Sequence, residues 1–385
     1  MPEGDPFATQ FNRRRFLALA GLSGGAALLG ACSGEDEPAQ VAPAPSEATA
    51  PSSAPSESQA ESQATSSPEV PDPTRLDSDN EIVRGIGGME ERAGRKIFDG
   101  LMTFFEVPAD QKALTDAMSW HPAALQQTEA AGLGNVVILE PADPSLTNLE
   151  VAQTRTDIYF AEMKKQGVTD KQLGRVVVAP EPIVGGLAGS TAGTFIESVN
   201  MYRSSLAEHF PEAESTILID TAPEERTVLV EALRSKKLDT PLETVGVQAY
   251  GNAARIPFDA EGKPDISRYL TVDAVLEIAE AAGTDRVWIN TGIPRKDINS
   301  YSRGDYTVDQ RTAIANAVAD VVQQVQNRGL TVDNLVLFAE NKLHKPEDDP
   351  EGRDFSFHPG DEEALVTFAD RLKALGVPLI GFDVA

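Results

Sequence analysis

Short apolar runs rich in β-branched residues alternate with longer amphipathic stretches through most of the chain. The short runs are almost continuously apolar, a pattern typical of strands covered on both faces of a parallel sheet. In the longer stretches apolar residues recur every three or four positions, and several stretches end in Gly, a common helix C-cap. The clearest helical stretches are 274–283, 311–329 and 362–376. The predicted strands are 97–105, 135–141, 175–182, 215–221, 244–250, 286–292, 334–341 and 378–384.

This alternation predicts an α/β fold, specifically a (β/α)8 TIM barrel. A doubly wound sheet is the second choice, because no glycine fingerprint follows the first predicted strand. Residues 82–86 (IVRGI) form a further strand candidate, which gives nine candidates for eight places. Either that segment leads into the barrel or the last strand is an accessory.

The amino-terminal stretch predicts export. Arg13, Arg14 and Arg15 precede Phe16 and a short apolar run that ends in Leu-Gly-Ala before Cys32. A basic region, an apolar core and small residues form a secretory signal, and paired arginines resemble a twin-arginine signal. The run falls short of the roughly 20 residues of a membrane span. An uncleaved span and an ordinary secretory signal are the alternatives.

The Leu-Gly-Ala-Cys ending resembles a bacterial lipoprotein cleavage box, so residues 1–31 are expected to be a signal peptide and Cys32 the lipidated residue, palmitate included. Residues 32–79 are rich in Pro, Ser, Ala and Glu and predict a disordered tether. Residues 80–385 are then the barrel domain. We expect a protein delivered by the twin-arginine export machinery and anchored by lipid to the extracytoplasmic face of the cell membrane.

Charge and cysteine content exclude several classes of function. The formal net charge of −27 argues against nucleic acid as a partner, because phosphate backbones require basic patches. A single cysteine excludes a disulfide within the chain and a cysteine-based zinc site. The four histidines have no metal-ligand spacing along the chain. The sequence therefore predicts neither a cofactor nor a metal.

Polar side chains occur at the carboxyl ends of the predicted strands, where the active site of such a barrel lies. Several carboxyls at one mouth are what glycoside hydrolysis needs, with one acid and one nucleophile or base. A carboxylate at a strand end also often caps the next helix or pairs with Arg, and this structural reading applies to each. The set comprises Glu140, Glu181, Asp220, Gln248, Tyr250, Asn290, Thr291, Glu340, Asn341 and Asp383.

The segments DGLMTFF, GLGNVVILEPAD and GRVVVAPEP resemble retaining glycoside hydrolases of the large barrel clan, particularly the mannanase and endoglucanase group designated family 26. The resemblance spans most of residues 95–292. It implies Glu181 as the acid/base residue and Tyr250 as a partner of the nucleophile. Counting strands from residue 97 puts Glu340 on the seventh strand, where the clan keeps its nucleophile. On the alignment with that family the nucleophile strand is RVWINTG, which has Asn290 and Thr291 where the family has a Glu.

Aromatic side chains are scarce at 6%, with two tryptophans and six tyrosines. Sugar rings stack on such side chains, and Trp120 is the better stacking candidate because Trp288 lies inside an apolar strand, where core packing is expected. The predicted substrate-binding set is Glu140, Trp120, Gln248, Tyr250, Asn290 and Asn341, with Glu181 and Glu340 catalytic.

Two functions remain open from the sequence. One is a lipid-anchored glycoside hydrolase acting on a polysaccharide or cell-wall glycan. The other is a catalytically degenerate barrel that binds a glycan or another envelope component.

Overall fold

A computed structural model of the protein describes residues 73–141, 149–178, 192–235, 238–249, 256–268, 270–295, 306–338, 357 and 360–382. The helices are α1 Pro73–Leu76, α2 Glu81–Ala93, α3 Gln111–Met118, α4 His121–Ala130, α5 Leu149–Lys165, α6 Asp170–Leu173, α7 Ala192–His209, α8 Pro223–Ser235, α9 Val272–Ala282, α10 Val308–Asn327 and α11 Glu362–Ala374. The strands are β1 Gly100–Val107, β2 Gly134–Pro141, β3 Arg175–Val178, β4 Glu214–Thr216, β5 Leu218–Asp220, β6 Val245–Ala249, β7 Arg286–Gly292, β8 Thr331–Phe338 and β9 Leu379–Phe382.

These strands form a nearly closed parallel barrel with helices outside it. The sheet order is β4-β3-β2-β1-β9-β8-β7-β6-β5, and every neighbouring pair is parallel. Its two ends, β4 and β5, are consecutive in the chain and separated only by Ile217. They are two halves of one barrel strand, of which the first half pairs with β3 and the second with β6. The predicted (β/α)8 barrel is confirmed, and the doubly wound alternative is wrong.

The extra strand candidate at residues 82–86 is a helix, so the barrel begins at Gly100 and the last strand belongs to it. Helix α2 begins where the Asn80 side chain accepts hydrogen bonds from the backbone N–H groups of Ile82 and Val83. It ends at Gly94, whose φ of 68° is left-handed. Its buried residues recur at helical spacing, and it leads into the barrel.

The barrel interior and the layer between barrel and helices are two separate hydrophobic clusters. Alternate strand residues point to opposite faces, so neighbours along one strand belong to different clusters. Trp288 fills the interior, fully buried as predicted, and its Nε1–H donates to Thr216 Oγ1 at 3.3 Å. A Cβ on Gly246 of the neighbouring strand would lie 2.3 Å from the Trp288 ring. The indole therefore requires glycine at that position.

Helices α1 and α2 are joined to the segment before β1 by a buried ion pair. Arg75 is 1% exposed, and its Nη1 lies 2.6 Å from both carboxylate oxygens of Glu90. Glu90 Oε1 also accepts the backbone N–H groups of Ile97 and Phe98 at 2.8 Å each, just before β1. The folded domain thus includes Arg75, a residue that composition had assigned to the tether.

A second set of charges lies at the amino ends of the strands. Arg175 on β3 contacts Glu214 Oε2 at 2.9 Å and Asp333 Oδ2 at 3.0 Å. Arg286 Nε contacts the other oxygen of Asp333 at 3.1 Å. The network links β3, β4, β7 and β8 and so ties together strands from opposite parts of the sheet order.

The predicted signal peptide, Cys32 and nearly all of the tether lie outside the described residues. Within the described ranges, no helix combines the length and the apolar character that crossing a membrane requires.

Candidate functional site

Polar side chains converge at the carboxyl end of the barrel, where the last interior position of several strands lies. Met102, Val136 and Leu218 belong to the interior cluster. Because side chains alternate, Glu106, Glu140 and Asp220 lie on the same face of their strands as these residues, further toward the carboxyl end. The same alternation, counted from Trp288, places Asn290 on the interior face of β7. Gly246 lies against Trp288, so Gln248, two residues further along β6, is on the interior face of that strand.

Asp220, Gln248 and Asn290 form one row across β5, β6 and β7, which we call the polar row. Asp220 is paired with Gln248 in the strand register, and Gln248 with Asn290. Gln248 Nε2 donates to Asp220 Oδ2 at 3.3 Å, and the backbone N–H of Ala222 donates to Asp220 Oδ1 at 2.6 Å. Backbone register thus sets a carboxyl beside two amides at the mouth.

Burial raises the pKa of the Asp220 carboxyl above its usual range, and the hydrogen bonds from Ala222 and Gln248 offset only part of that rise. Removing a carboxylate from water penalises its charged form. A carboxyl that retains its proton to higher pH suits proton donation to a leaving group.

Asn290 is fully buried, and neither its Oδ1 nor its Nδ2 has a hydrogen-bond partner in the structure as described. A buried amide without partners costs about 1–3 kcal/mol per unpaired group, so such groups are rare in stable cores. Local rules of packing and pairing are typically broken at functional sites. The unpaired amide at the end of β7 therefore marks this part of the mouth as a candidate binding position.

The segment after β7 is held by a buried arginine. Arg311 on α10 donates from Nη2 to the carbonyl of Ile293 at 3.1 Å and from Nη1 to Asp361 Oδ2 at 2.6 Å. Its guanidinium also lies 4.2 Å from the centre of the Phe357 ring. These contacts fix the backbone close to Asn290.

Aromatic rings occupy the interior on the other side of the sheet order, and we call them the phenylalanine group. The Phe104 and Phe382 ring centres are 5.0 Å apart, and those of Phe338 and Phe382 are 5.1 Å apart. Phe104 is partly exposed, whereas Phe338 and Phe382 are buried. The interior face thus has aromatic rings on β1, β8 and β9 and hydrogen-bonding groups on β5 to β7.

Two further carboxyls lie on β1 and β2. Glu106 and Glu140 are register partners at the last interior position of their strands. Glu106 is exposed and Glu140 is half-buried. With Asp220 they bring three carboxyls to the carboxyl end of the barrel.

The structure brings together some of the predicted site residues. Glu140, Gln248 and Asn290 lie at the mouth, whereas the predicted catalytic pair Glu181 and Glu340 is outside the described residues. Three further members of the predicted strand-end set also lie outside the described residues, namely Tyr250, Asn341 and Asp383. The remaining member, Thr291, points away from the interior, and its Oγ1 donates to the Ala249 carbonyl at 3.0 Å.

Trp120 lies in the layer between β1 and the helices. Its ring centre is 5.6 Å from that of Phe105 and 4.1 Å from that of His121. Phe105 belongs to the outer cluster, so the ring of Trp120 packs outside the barrel wall and is only partly exposed. Its predicted stacking role remains a prediction.

Sequence reasoning missed Glu106 and the phenylalanine group as site residues. The first strand was predicted to end at residue 105, whereas β1 ends at Val107. Phe104, Phe338 and Phe382 stand in apolar runs of the sequence, where core packing is expected. Alternation along correctly bounded strands is the signal that identifies both.

Comparisons with known proteins extend the fold assignment. No family model matches the chain, and no curated protein matches it. Among solved structures, the beta-glycosidase BGL167 is similar with a TM-score of 0.53 at 13% identity, over 77% of this chain and 86% of that chain. A family 1 beta-glucosidase from Thermotoga maritima has a TM-score of 0.49 at 10% identity, over 74% of this chain and 84% of that chain.

A fungal beta-1,4-galactanase has a TM-score of 0.47 at 14% identity, over 74% of this chain and 90% of that chain. The likeness to the beta-glycosidase BGL167, at 13% identity, shows the barrel fold alone.

Proposed function

We propose that this protein is a glycoside hydrolase that acts on a polysaccharide or cell-wall glycan. The observation that carries the proposal is the two-sided mouth, in which the polar row faces the same interior as the phenylalanine group. A pyranose ring has hydroxyl groups at its edge and C–H bonds on its faces. Amide and carboxyl groups bind the hydroxyls, and aromatic rings bind the C–H faces.

The proposed chemistry uses two carboxyls. Glu181 is the acid/base residue and Glu340 the nucleophile; in the sequence they follow closely on the last residues of β3 and β8, Val178 and Phe338. Retaining hydrolysis requires two carboxyl groups about 5–5.5 Å apart, and inverting hydrolysis about 6.5–9.5 Å. Asp220 is a further carboxyl at the mouth whose raised pKa suits an acid.

The assignment is tested by assaying the purified chain on a panel of glycans with Glu181→Gln, Glu340→Gln and Asp220→Asn variants. We expect the first two to lose at least about 100-fold in kcat, since general acid–base catalysis alone contributes about 10²–10⁴-fold. Glu231→Gln is the control, because Glu231 is an exposed acid on α8, away from the mouth. Full activity in both Glu181→Gln and Glu340→Gln contradicts the assignment.

The second candidate is a barrel that binds a glycan without cleaving it. The observation in its favour is the composition of the polar row, which has one carboxyl and two amides. The two amides bind hydroxyls and supply neither an acid nor a nucleophile, and one carboxyl is fewer than the pair that hydrolysis uses. Glycan binding that persists with no turnover on any substrate, and that falls in Asn290→Ala, favours this candidate over the enzyme.

The proposed location is the extracytoplasmic face of the cell membrane, with the twin-arginine machinery as export partner and a lipid at Cys32 as anchor. The sequence pattern from Arg13 to Cys32 supports it. We expect Cys32→Ser to move the protein from the membrane fraction to the soluble fraction of the exporting cell. The double substitution Arg13→Lys and Arg14→Lys is expected to block export. Unchanged fractionation of Cys32→Ser contradicts the lipid anchor.

A further inference from the structure

A cluster of metal-ligating groups lies in the outer helix layer, away from the barrel mouth. Asp157 belongs to α5, and Glu208 and His209 are the last two residues of α7. One ligand atom from each residue lies within 4.8 Å of the ligand atoms of the other two. Because α7 leads through Phe210 into β4, this cluster is on the side of the amino ends of the strands, opposite the mouth.

Two of these residues each have a buried polar atom without a hydrogen-bond partner. Asp157 Oδ1 and His209 Nε2 are both shielded from solvent, and neither has a partner in the described part of the chain. Polar atoms removed from water are nearly always paired with protein or with a bound group. Unpaired atoms on two residues of one such cluster indicate that a further component completes the arrangement.

No positively charged side chain neutralises the carboxylates within the described ranges. Lys164 on α5 donates from Nζ to the backbone carbonyl of His209 at 2.7 Å. Its ammonium also lies 5.8 Å from the centre of the Phe210 ring. Lys164 therefore binds backbone and ring, and it forms no ion pair with Asp157 or Glu208 at salt-bridge distance.

The donor set fits a divalent transition-metal ion. Zn²⁺ binds imidazole nitrogen and carboxylate oxygen at about 2.0–2.2 Å, with ligand atoms roughly 3.3 Å apart in a tetrahedron. The exposed Glu208 side chain is free to move that last distance toward Asp157 and His209. The negative end of the α7 macrodipole lies at His209 and also favours a cation.

We propose that Asp157, Glu208 and His209 bind one divalent transition-metal ion, best matched by Zn²⁺, with water completing the coordination. The ion cross-links α5 to α7 and stabilises the barrel, and it takes no part in the chemistry of the mouth. Reasoning along the sequence missed this site because Asp157 is far from His209 in the chain, and only packing of α5 against α7 brings them together.

The site is tested by titrating Zn²⁺ into the full chain by calorimetry after removal of metal with a chelator. All proteins carry Cys32→Ser, so that no thiol competes for the ion. We expect one ion per chain with micromolar affinity, and an affinity at least tenfold weaker in His209→Gln and in Asp157→Asn. Glu208→Gln is expected to weaken binding less, because Glu208 is exposed.

Glu231→Gln is the matched control, an exposed acid on the adjacent helix α8, and its binding should equal that of the parent. Saturating Zn²⁺ should raise the melting temperature of the parent and of Glu231→Gln but not that of His209→Gln. Equal melting temperatures of the metal-free proteins would show that His209→Gln folds normally. Zn²⁺ affinity that is the same in His209→Gln and the parent, or no stoichiometric binding by the parent, overturns the proposal.

Discussion

Two buried polar groups, one at each end of the barrel, differ in how they are paired. At the amino end, Arg75 is buried against both oxygens of Glu90, whose carboxylate also accepts two backbone N–H groups. At the carboxyl end, Asn290 is equally buried, but neither atom of its amide is paired in the structure as described. A buried polar group that is fully paired within the protein stabilises one structure, whereas the amide of Asn290, which has no such partners, is a candidate binding group.

Among the substitutions that test this difference, Glu90→Gln is expected to have the largest effect on stability. The substitution leaves the Arg75 guanidinium buried beside a neutral amide, and breaking a buried ion pair typically costs about 3–5 kcal/mol. We expect the free energy of unfolding in urea to fall by about that amount. Lys165→Ala is the control, because its ion pair with Glu162 is exposed, and its urea midpoint should match that of the parent. A Glu90→Gln protein as stable as the parent contradicts the structural role of the amino end.

Gly246→Ala tests the interior between the two ends. The added methyl would meet the Trp288 ring, which is held by Thr216, and overpacking of this kind costs about 1–3 kcal/mol. Gly88→Ala is the matched control, since the nearest atom to its new methyl is the mobile end of Arg92 at 3.8 Å. Alanine in that helix should leave stability unchanged or raise it by about 0.5–1 kcal/mol. Equal effects of the two substitutions in thermal unfolding would contradict the packing described for Trp288.

At the carboxyl end, we expect the loss of a buried polar group to stabilise the protein. Asn290→Leu removes an unpaired buried amide and should increase the free energy of unfolding by about 1–2 kcal/mol while weakening glycan binding. The neighbouring Thr291→Val removes a hydroxyl that is paired with the Ala249 carbonyl, so it should cost about 1 kcal/mol. The free energy of unfolding of both variants is measured by denaturant titration. If both substitutions destabilise the protein, the Asn290 amide is paired.

The smallest effect concerns pH. Because the pKa of Asp220 is raised in the folded state, the folded protein binds this proton more tightly than the unfolded chain. The stability from this group is therefore complete below the pKa of the unfolded chain and is lost as pH rises through the folded pKa. Asp220→Asn should match the parent in unfolding free energy at low pH and exceed it at neutral pH. A difference that grows toward low pH instead would contradict burial as the cause of the shift.

Much of the candidate site could be predicted from strand ends, with one systematic gap. Glu140, Asp220, Gln248 and Asn290 all follow apolar runs directly in the sequence, and in a parallel barrel the carboxyl ends of all strands meet at one mouth. Glu106 was missed because the predicted first strand began three residues early and stopped two short of Val107. Boundaries are the least reliable part of such predictions, since local pattern does not define where strand pairing ends.

Residues 82–86 show that a short local pattern also fails to distinguish a strand from a helix. Ile82, Val83 and Ile86 suit a strand as well as a helix over so short a run. Asn80 as N-cap and Gly94 as C-cap support the helix, and the close approach of Gly87 to the backbone of Arg75 explains why a weak helix former stands in its middle. That approach depends on a contact with α1 that no local pattern predicts.

The sequence by itself determined the barrel, because hydrophobic periodicity is a local property that each strand and helix carries independently. It also placed Trp288 in the core and the polar residues at strand ends. Only the tertiary structure decided that the fourth strand divides at Ile217 between two neighbours, and that Asp220, Gln248 and Asn290 share one row. Only packing brought Asp157 to His209. Register and helix packing depend on contacts between residues distant in the chain, and those contacts leave no periodic signal in the sequence.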